Sequence, residues 1–159
     1  MKKALITGSF DPVTLGHYDL IKRTASLFDT VYVVIFTNSE KKYLFAEKER
    51  LEILKAVCAE FQNVVCDIYD GLVAEYAKKK GIDVIVRGAR NSADYDYEAM
   101  ISVVNKNLCP GLDTVILPSD PKLSHISSTV VREMIKYRLD LAEYLPAAAI
   151  EFVKNKFYN

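Results

Sequence analysis

A stretch near the start of the chain carries the first residues that suit phosphate chemistry. Residues 8–17 read Gly-Ser-Phe-Asp-Pro-Val-Thr-Leu-Gly-His, so Gly16 and His17 stand together at the start of a predicted helix. A glycine there leaves no side chain between the first helical turn and a ligand, and a helix N-terminus favours an anion. The imidazole could donate a hydrogen bond to a phosphate oxygen. The stretch contains neither GxGxxG nor the GxxxxGK[ST] phosphate loop.

A structural interpretation of His17 competes with this one. His17 shares one predicted helical face with the apolar residues at positions 20, 21, 27 and 28, so it could be a satisfied core histidine. Its place directly after a glycine, where the first helix begins, favours the functional interpretation.

Two arginines flank a glycine and an alanine further along the chain. Arg87 and Arg90 follow an apolar run, and each guanidinium can bind a phosphate through two hydrogen bonds. Downstream, Asp94, Asp96 and Glu98 could orient these arginines, contact a ribose or help to hold a metal. For Asp94 and Asp96 we favour the simpler interpretation of an acidic first helical turn.

Two further segments add lysines and hydroxyl groups. The segment 37–42 contains two lysines, which would carry positive charge to the same place or would simply be solvated. The segment 123–132 has three consecutive hydroxyl residues at 127–129, and Arg132 follows one turn later. A helix N-cap needs only one hydroxyl, so the others are available for a polyphosphate.

These side chains come without an acid pair, a nucleophile–base pair or metal-ligand spacing. Such a set suits phosphate-transfer chemistry in which positioning and charge stabilisation do the work and no covalent enzyme intermediate forms. Residue chemistry alone therefore predicts a nucleotide or phosphate site and leaves the reaction open.

The elements that would position these side chains alternate along the chain. Continuous apolar runs, typical of strands covered on both faces, occur at 4–6, 31–36, 64–66, 82–86 and 114–117. Helical periods lie between them, a basic turn before Gly81 predicts a helix end, and a last helix is predicted around 147–157. This order predicts a single-domain α/β fold, a Rossmann-like doubly wound parallel sheet of about five strands with helices on both faces. Ligands of such sheets bind at the carboxyl ends of the strands, where the segments above lie.

Composition limits the class of protein. The chain has 159 residues, with 21 Lys and Arg against 21 Asp and Glu, and 50% of its residues are hydrophobic. These values predict one globular domain and disfavour a protein that coats nucleic acid or a membrane surface. The three cysteines at 58, 66 and 109 form no CxxC or Cys/His cluster, and neither a signal peptide nor a membrane span is visible. We expect a cytoplasmic protein.

The motifs taken in order resemble a known family. Residues 8–17 and 126–132, together with 41–50, 87–90 and 97–98, are similar to the nucleotidyltransferase superfamily with the [HT]xGH motif, and within it to the bacterial phosphopantetheine adenylyltransferases. The similarity runs nearly end to end and makes residues 1–159 a single nucleotidyltransferase domain. It implies transfer of AMP from ATP to 4'-phosphopantetheine, giving dephospho-coenzyme A and pyrophosphate with Mg²⁺. It also implies a homohexamer and feedback inhibition by coenzyme A.

The resemblance also implies roles for individual residues. His17 would be catalytic, stabilising charge at the α-phosphate of ATP during in-line attack. The residues expected to bind ATP are Ser9, Phe10, His17, Gly88, Ala89, Arg90, Glu98, Leu123, Ser124, His125, Ile126, Ser127, Ser128 and Thr129. The residues expected to bind 4'-phosphopantetheine are Ser9, Lys41, Leu72, Val73 and Arg87.

The chain departs from the family at a few positions. Ile6 and Thr7 replace the usual Tyr-Pro, Leu123 stands where an aromatic residue is frequent, and His125 is a second histidine near the nucleotide. Only His17 lies in the glycine-adjacent motif, so it remains the catalytic candidate. The alternatives are another small nucleotidyltransferase, acting on nicotinamide mononucleotide or glycerol phosphate, and a module that senses ATP without chemistry.

Overall fold

Five parallel strands form one sheet in the structure, a computed structural model that describes residues 1–37 and 40–158. The strands are β1 (Lys3–Gly8), β2 (Thr30–Phe36), β3 (Val64–Tyr69), β4 (Val84–Ala89) and β5 (Asp113–Pro118). Their order across the sheet is β3-β2-β1-β4-β5. The predicted doubly wound sheet of about five strands is confirmed.

Six α-helices cover the two faces of this sheet. They are α1 (Leu15–Leu27), α2 (Glu47–Cys58), α3 (Val73–Lys80), α4 (Ser92–Leu108), α5 (Ser128–Lys136) and α6 (Ala147–Val153). Apolar residues of α1, α2, α5 and α6 pack in one core cluster, while α3 packs in a second cluster on the opposite face, with α4 beside it. None of the helices in the described ranges is long and apolar enough to cross a lipid bilayer.

Strand β1 explains why the apolar runs of the sequence are continuous. Its side chains alternate between faces, so Ala4 and Ile6 lie in the first cluster and Leu5 lies in the second. All three are buried because helices cover both sides.

The sheet opens where the strand order reverses. Strand β1 pairs with β2 along its whole length, from Lys3 to Gly8. With β4 it pairs only at Ala4 and Leu5, so the two strands separate toward their carboxyl ends. This separation creates a crevice between the loops that follow β1 and β4.

The observed end of α3 agrees with the end predicted from the sequence, and the observed end of α6 differs from it. Gly81 adopts a left-handed conformation, with φ +64°, and ends α3 as predicted. The predicted last helix reached Phe157, but α6 ends at Val153 and a wider π-helical turn runs from Lys154 to Tyr158.

This terminal turn, residues 154–158, packs on the beginning of α2. The Phe157 and Phe45 rings meet edge to face with centroids 5.4 Å apart, and Lys156 Nζ pairs with Glu49 Oε2 at 2.6 Å. The Tyr158 hydroxyl donates to the Leu139 carbonyl at 2.7 Å. The terminal turn therefore holds the segment that enters α2.

Candidate active site

The crevice beside β1 and β4 contains a cavity of about 400 Å³. It lies at the carboxyl ends of β1, β4 and β5, between the N-terminal ends of α1 and α5. Nine residues predicted to bind ATP or the acceptor line it: His17, Arg87, Gly88, Arg90, Glu98, Leu123, Ile126, Ser127 and Ser128. Its volume is in the usual range for a small-molecule site.

A smaller cavity of about 100 Å³ shares a wall with the first. Four residues belong to both linings: Thr7, Arg87, Tyr97 and Glu98. The remaining walls of the second cavity come from α3, α4 and the sheet: Val73, Ile85, Ile101, Ser102, Asn105 and Thr114. The smaller cavity is the more apolar of the two.

His17 is held by the first turn of α1. Thr14 is the N-cap, its Oγ1 accepts from the His17 backbone N–H at 3.3 Å, and the Thr14 backbone N–H donates to His17 Nδ1 at 3.0 Å. A backbone N–H can only donate, so Nδ1 is an acceptor and the proton of the neutral ring lies on Nε2. His17 lines the large cavity, where Nε2–H is a hydrogen-bond donor.

The surroundings keep this imidazole neutral. Burial, followed by the positive charges of Arg87 and Arg90, lowers the pKa of His17 from 6.5 to about 4. At neutral pH the ring is therefore a neutral donor and carries no charge of its own.

Phe10 packs against this histidine and lies outside the cavity lining. Its side chain is 1% exposed, and its ring lies edge-on to His17 with centroids 5.1 Å apart. Its φ of +48° places a non-glycine residue in the left-handed region, at a cost of about 1–2 kcal/mol. A Cβ on Gly8 would lie 3.0 Å from the Phe10 ring, so a larger residue there would displace the ring.

Hydrogen bonds from α2, from the segment that enters it and from α5 hold the loop around Phe10, residues 8–14, in place. The Asp11 carboxylate, itself buried, accepts from the backbone N–H groups of Leu44 at 2.7 Å and Phe45 at 2.9 Å. Arg50 Nη1 donates to the Ser9 carbonyl at 2.8 Å, and Arg132 Nη1 donates to the Asp11 carbonyl at 3.0 Å. The segment that enters α2, and helices α2 and α5, thereby fix this loop.

The two predicted phosphate-binding arginines have different surroundings. Arg87 binds Glu98 through Nε at 2.8 Å and Nη2 at 2.7 Å, and its Nη1 donates to the Thr7 carbonyl at 2.6 Å and hydroxyl at 2.7 Å. The Arg90 side chain engages Asp94 through Nε alone among the described residues, at 3.0 Å, and the Arg90 backbone N–H donates to the same carboxylate at 3.1 Å. Arg90 keeps Nη1 and Nη2 for a ligand, while Arg87 joins β4 to β1 and α4.

The cavity balances its side-chain charges. A third arginine on its wall, Arg23, has its Nη1 3.4 Å from the carboxylate of Asp19, one turn earlier in α1. The same nitrogen donates to the Pro118 carbonyl at 2.8 Å. Each arginine of the lining therefore has a carboxylate beside it. The N-terminal ends of α1 and α5 add partial positive charge, and neither helix has an acidic residue in its first turn, which favours an anion.

The three hydroxyl residues at the start of α5 divide their roles. Ser127 is the N-cap and accepts from Val130 N–H at 3.2 Å, while Ser128 donates to the Pro12 carbonyl at 3.1 Å. Thr129 accepts from Arg132 Nη2 at 3.0 Å. Ser127 and Ser128 also line the cavity, so they can meet a ligand as well as stabilise α5.

Several predicted residues lie outside both linings: Ser9, Phe10, Lys41, Leu72, Ala89, Ser124, His125 and Thr129. Lys41 is exposed beyond β2, next to positions 38 and 39, which are outside the described residues. The exposed His125 ring lies against Tyr144, with centroids 5.7 Å apart. Among the described residues, no group of three or more His, Cys, Asp or Glu side chains could hold a metal ion.

The sequence analysis missed some residues of the linings. Thr14 could have been found, because a threonine three positions before the predicted helix residue His17 is a typical N-cap. The pair Asp19 and Arg23 has the i, i+4 spacing of a helical ion pair, but nothing in that spacing indicates a cavity. Tyr97, which received no role in the 97–98 motif, and Asn105 line the cavities because α4 packs against β4 and β5.

Comparison with known proteins identifies similar sequences. The model of the cytidylyltransferase-like family matches residues 5–134. The phosphopantetheine adenylyltransferase of Shouchella clausii is 41% identical over 157 residues, which cover 99% of either protein. That of Caldanaerobacter subterraneus subsp. tengcongensis is 42% identical over 157 residues, covering 99% of this chain and 98% of its own.

Solved structures show the same fold at lower identity. A candidate nicotinate-nucleotide adenylyltransferase from Vibrio parahaemolyticus aligns over 98% of this chain and 93% of its own, with a TM-score of 0.71 and 18% identity. A lipopolysaccharide core biosynthesis protein from Thermoplasma volcanium covers 76% of this chain and 97% of its own, with a TM-score of 0.55 and 25% identity.

Proposed function

The chain belongs to the phosphopantetheine adenylyltransferases of the cytidylyltransferase-like family, and from this we propose how its two cavities carry out adenylyl transfer. The activity of the family transfers AMP from ATP to 4'-phosphopantetheine, giving dephospho-coenzyme A and pyrophosphate, in the synthesis of coenzyme A. Residues 1–159 act as one nucleotidyltransferase domain in this proposal.

The observation that carries the proposal is the wall shared by the two cavities. ATP fits the larger cavity, which holds the charged side chains Arg23, Arg87 and Arg90, with its phosphates near the N-terminal ends of α1 and α5. The pantetheine arm of the acceptor, which is long and partly apolar, fits the smaller cavity lined by Val73, Ile85 and Ile101. The acceptor phosphate then lies at the shared wall beside Arg87, next to the α-phosphate of ATP.

The reaction needs no base or nucleophile from the protein. An oxygen of the acceptor phosphate, already anionic at neutral pH, attacks the α-phosphorus in line and forms the new P–O bond. The bond from the α-phosphorus to the oxygen bridging to the β-phosphorus breaks, and pyrophosphate leaves with its electron pair. We propose that Nε2–H of His17 donates to a non-bridging α-phosphate oxygen as charge develops there.

The remaining predicted residues take supporting roles. Gly88, Arg90, Leu123 and the residues 126–128 hold the nucleotide, and Arg90 supplies its free Nη1 and Nη2 donors. Glu98 acts by holding Arg87 toward the acceptor. For Ser9, Phe10, Ala89, Ser124, His125 and Thr129, nucleotide binding stays a prediction of the resemblance. The same holds for Lys41 and Leu72 toward the acceptor.

In this proposal Mg²⁺ binds the site together with ATP. The described residues offer no carboxylate cluster for it, because Asp94 and Glu98 are engaged by arginines. Mg²⁺ commonly keeps water and substrate phosphate ligands, so it would arrive bound to ATP. Homohexamer formation, inhibition by coenzyme A, a cytoplasmic location and the absence of a nucleic-acid partner stay predictions of the sequence.

Measurement of pyrophosphate release tests the proposed function. With MgATP, we expect release that requires 4'-phosphopantetheine and yields dephospho-coenzyme A. We expect His17→Ala to lower kcat by roughly 10²-fold or more, as loss of an oriented transition-state donor does. The KM for ATP and the thermal midpoint should change little.

Two results would count against the proposal. Release with nicotinamide mononucleotide or glycerol phosphate in place of 4'-phosphopantetheine would assign another acceptor. An unchanged kcat in His17→Ala would return His17 to its role in the first turn of α1.

A further inference from the structure

The burial of Arg50 is not explained by packing. Arg50, in the first turn of α2, is fully buried, and none of the ion pairs among the described residues includes it. A buried charge without a carboxylate is costly, and an apolar side chain of similar length would fill the same space without that cost. The guanidinium must therefore do something that a methionine could not.

The contacts of Arg50 point to the loop at residues 8–14. The guanidinium stacks on the Tyr43 ring at 3.9 Å, and its Nη1 donates to the Ser9 carbonyl at 2.8 Å. Its Nε and Nη2 have no hydrogen-bond partner within the described residues. The ring of Tyr43 sets the plane of the guanidinium, and that plane aims Nη1 at the loop.

The accepting carbonyl belongs to the peptide that leads into Phe10. The orientation of this peptide fixes φ of Phe10, which is +48°. Beyond Phe10, the Asp11 carboxylate is tied to the backbone of Leu44 and Phe45. Phe10 thus stays in an unfavourable conformation because the chain is held on both sides of it.

The Phe10 ring carries this restraint to His17. Thr14 contacts His17 Nδ1 through its backbone N–H at 3.0 Å and its hydroxyl at 3.2 Å, and both contacts fix this one ring atom without fixing the tilt of the imidazole about it. The Phe10 ring, edge-on at 67° and 5.1 Å between centroids, limits that tilt. The direction of Nε2–H then depends on where the Phe10 ring is held.

We infer that Arg50 is a positioning residue for His17, acting through the Ser9 carbonyl and the Phe10 ring. This inference rests on the function proposed for His17. Arg50 lies outside the linings of both cavities, and its removal misdirects the Nε2–H donor without removing it.

A double-mutant cycle in the full-length enzyme tests the inference. We expect Arg50→Met to lower kcat about tenfold, with the KM for ATP and for 4'-phosphopantetheine within about twofold of wild type. In the His17→Ala background the same change should lower kcat less than about twofold, because the donor it positions is gone. A purely structural role would instead give equal effects in both backgrounds.

Two further variants keep the test decisive if Arg50→Met folds poorly. Phe10→Leu retains an apolar side chain but removes the ring edge, and should show the same loss of kcat and the same dependence on His17. Tyr43→Phe, which keeps the ring under the guanidinium, is the matched control and should retain wild-type kcat.

The outcomes separate this inference from the proposed function. If His17→Ala leaves kcat unchanged, the function proposed for His17 is wrong. If His17→Ala lowers kcat while Arg50→Met or Phe10→Leu does not, or lowers it equally in both backgrounds, only the inference about Arg50 is overturned.

Discussion

At the scale of single residues, His17 combines two roles that the sequence presented as alternatives. It occupies the third position of α1 and completes the hydrogen bonding of its N-terminus with Thr14. The same bond commits Nδ1 as an acceptor, which leaves the proton on Nε2 toward the cavity. The structural contact therefore selects the tautomer that phosphate chemistry requires.

The lowered pKa of His17 has a consequence for stability. Between pH 6.5 and about pH 4, the unfolded chain binds a proton at this histidine and the folded chain does not. The free energy of unfolding should therefore fall as pH is lowered through this window, by at most about 1.4 kcal/mol per pH unit from this residue. Urea unfolding of wild type and of His17→Asn at a series of pH values measures this effect. The unfolding free energy of wild type minus that of His17→Asn should fall as the pH is lowered from 6.5 to about 4.

His125→Asn serves as the control for loss of an imidazole, because His125 is exposed and lies outside both cavities. Equal pH dependence of unfolding in wild type and His17→Asn would contradict the prediction. It would mean that the folded protein protonates His17 as readily as the unfolded chain does.

At the scale of elements, Arg87 and Arg90 show how one short segment serves both fold and site. Arg87 connects β4 to Thr7 on β1 and to Glu98 on α4, across the region where the two strands separate. Arg90 lies one residue beyond β4, and its Nη1 and Nη2 have no hydrogen-bond partner in the part of the chain that the structure describes. The sequence predicted both as phosphate ligands, and their spacing does not show that Arg87 also joins three elements.

This difference predicts that two matched substitutions change different quantities, the KM for ATP in one case and the free energy of unfolding in the other. Arg90→Gln should raise the KM for ATP about tenfold or more through loss of charge-assisted hydrogen bonds, with little change in stability. Arg87→Gln should lower the free energy of unfolding by about 3–5 kcal/mol, because it leaves the Glu98 carboxylate buried and unpaired. Denaturant unfolding and steady-state kinetics on both variants measure these effects.

The double variant Arg87→Gln with Glu98→Gln supplies the control, since it removes both charges of the pair. It should recover part of the stability lost in Arg87→Gln. Similar unfolding free energies for Arg87→Gln and Arg90→Gln would show that Arg87 does not hold the elements together.

The elements themselves were largely predictable, and the lining of the site was less so. Strands such as β2 are continuous apolar runs, and the end of α3 at Gly81 follows from a left-handed position that glycine favours. Phe10 could not be placed, because its burial depends on hydrogen bonds from Arg50 and from the backbone near Leu44, more than 30 positions away. No local pattern records such contacts.

At the scale of the whole molecule, α4 leaves an apolar row unpaired. Met100, Val103 and Val104 are between 49% and 60% exposed, and Tyr97 and Leu108 extend the row along the same side of the helix. The inward side of α4 carries Glu98, Ile101 and Asn105 against the two cavities. An exposed apolar row of this length supports the assembly of several copies that the family resemblance implies.

Sedimentation measurements test that assembly. Wild type should sediment as one species with six times the mass of the chain, and Val104→Glu should give smaller species, because a carboxylate cannot be buried without a partner. Lys106→Glu places the same group on the opposite side of α4 and should keep the wild-type mass. A wild type that sediments as a single chain, or an unchanged mass for Val104→Glu, would contradict the prediction.

The packing of the terminal turn against Phe45 and Glu49 has a consequence during synthesis of the chain. The loop at 8–14 is translated before the residues that secure it, which belong to α2 and α5 and, through the segment that enters α2, to positions 154–158. At about 5–20 residues per second, the ribosome completes these partners seconds after the loop itself. A nascent chain therefore holds its sheet-forming segments well before it can bind nucleotide, and ligand affinity arises only once residues 154–158 have been translated.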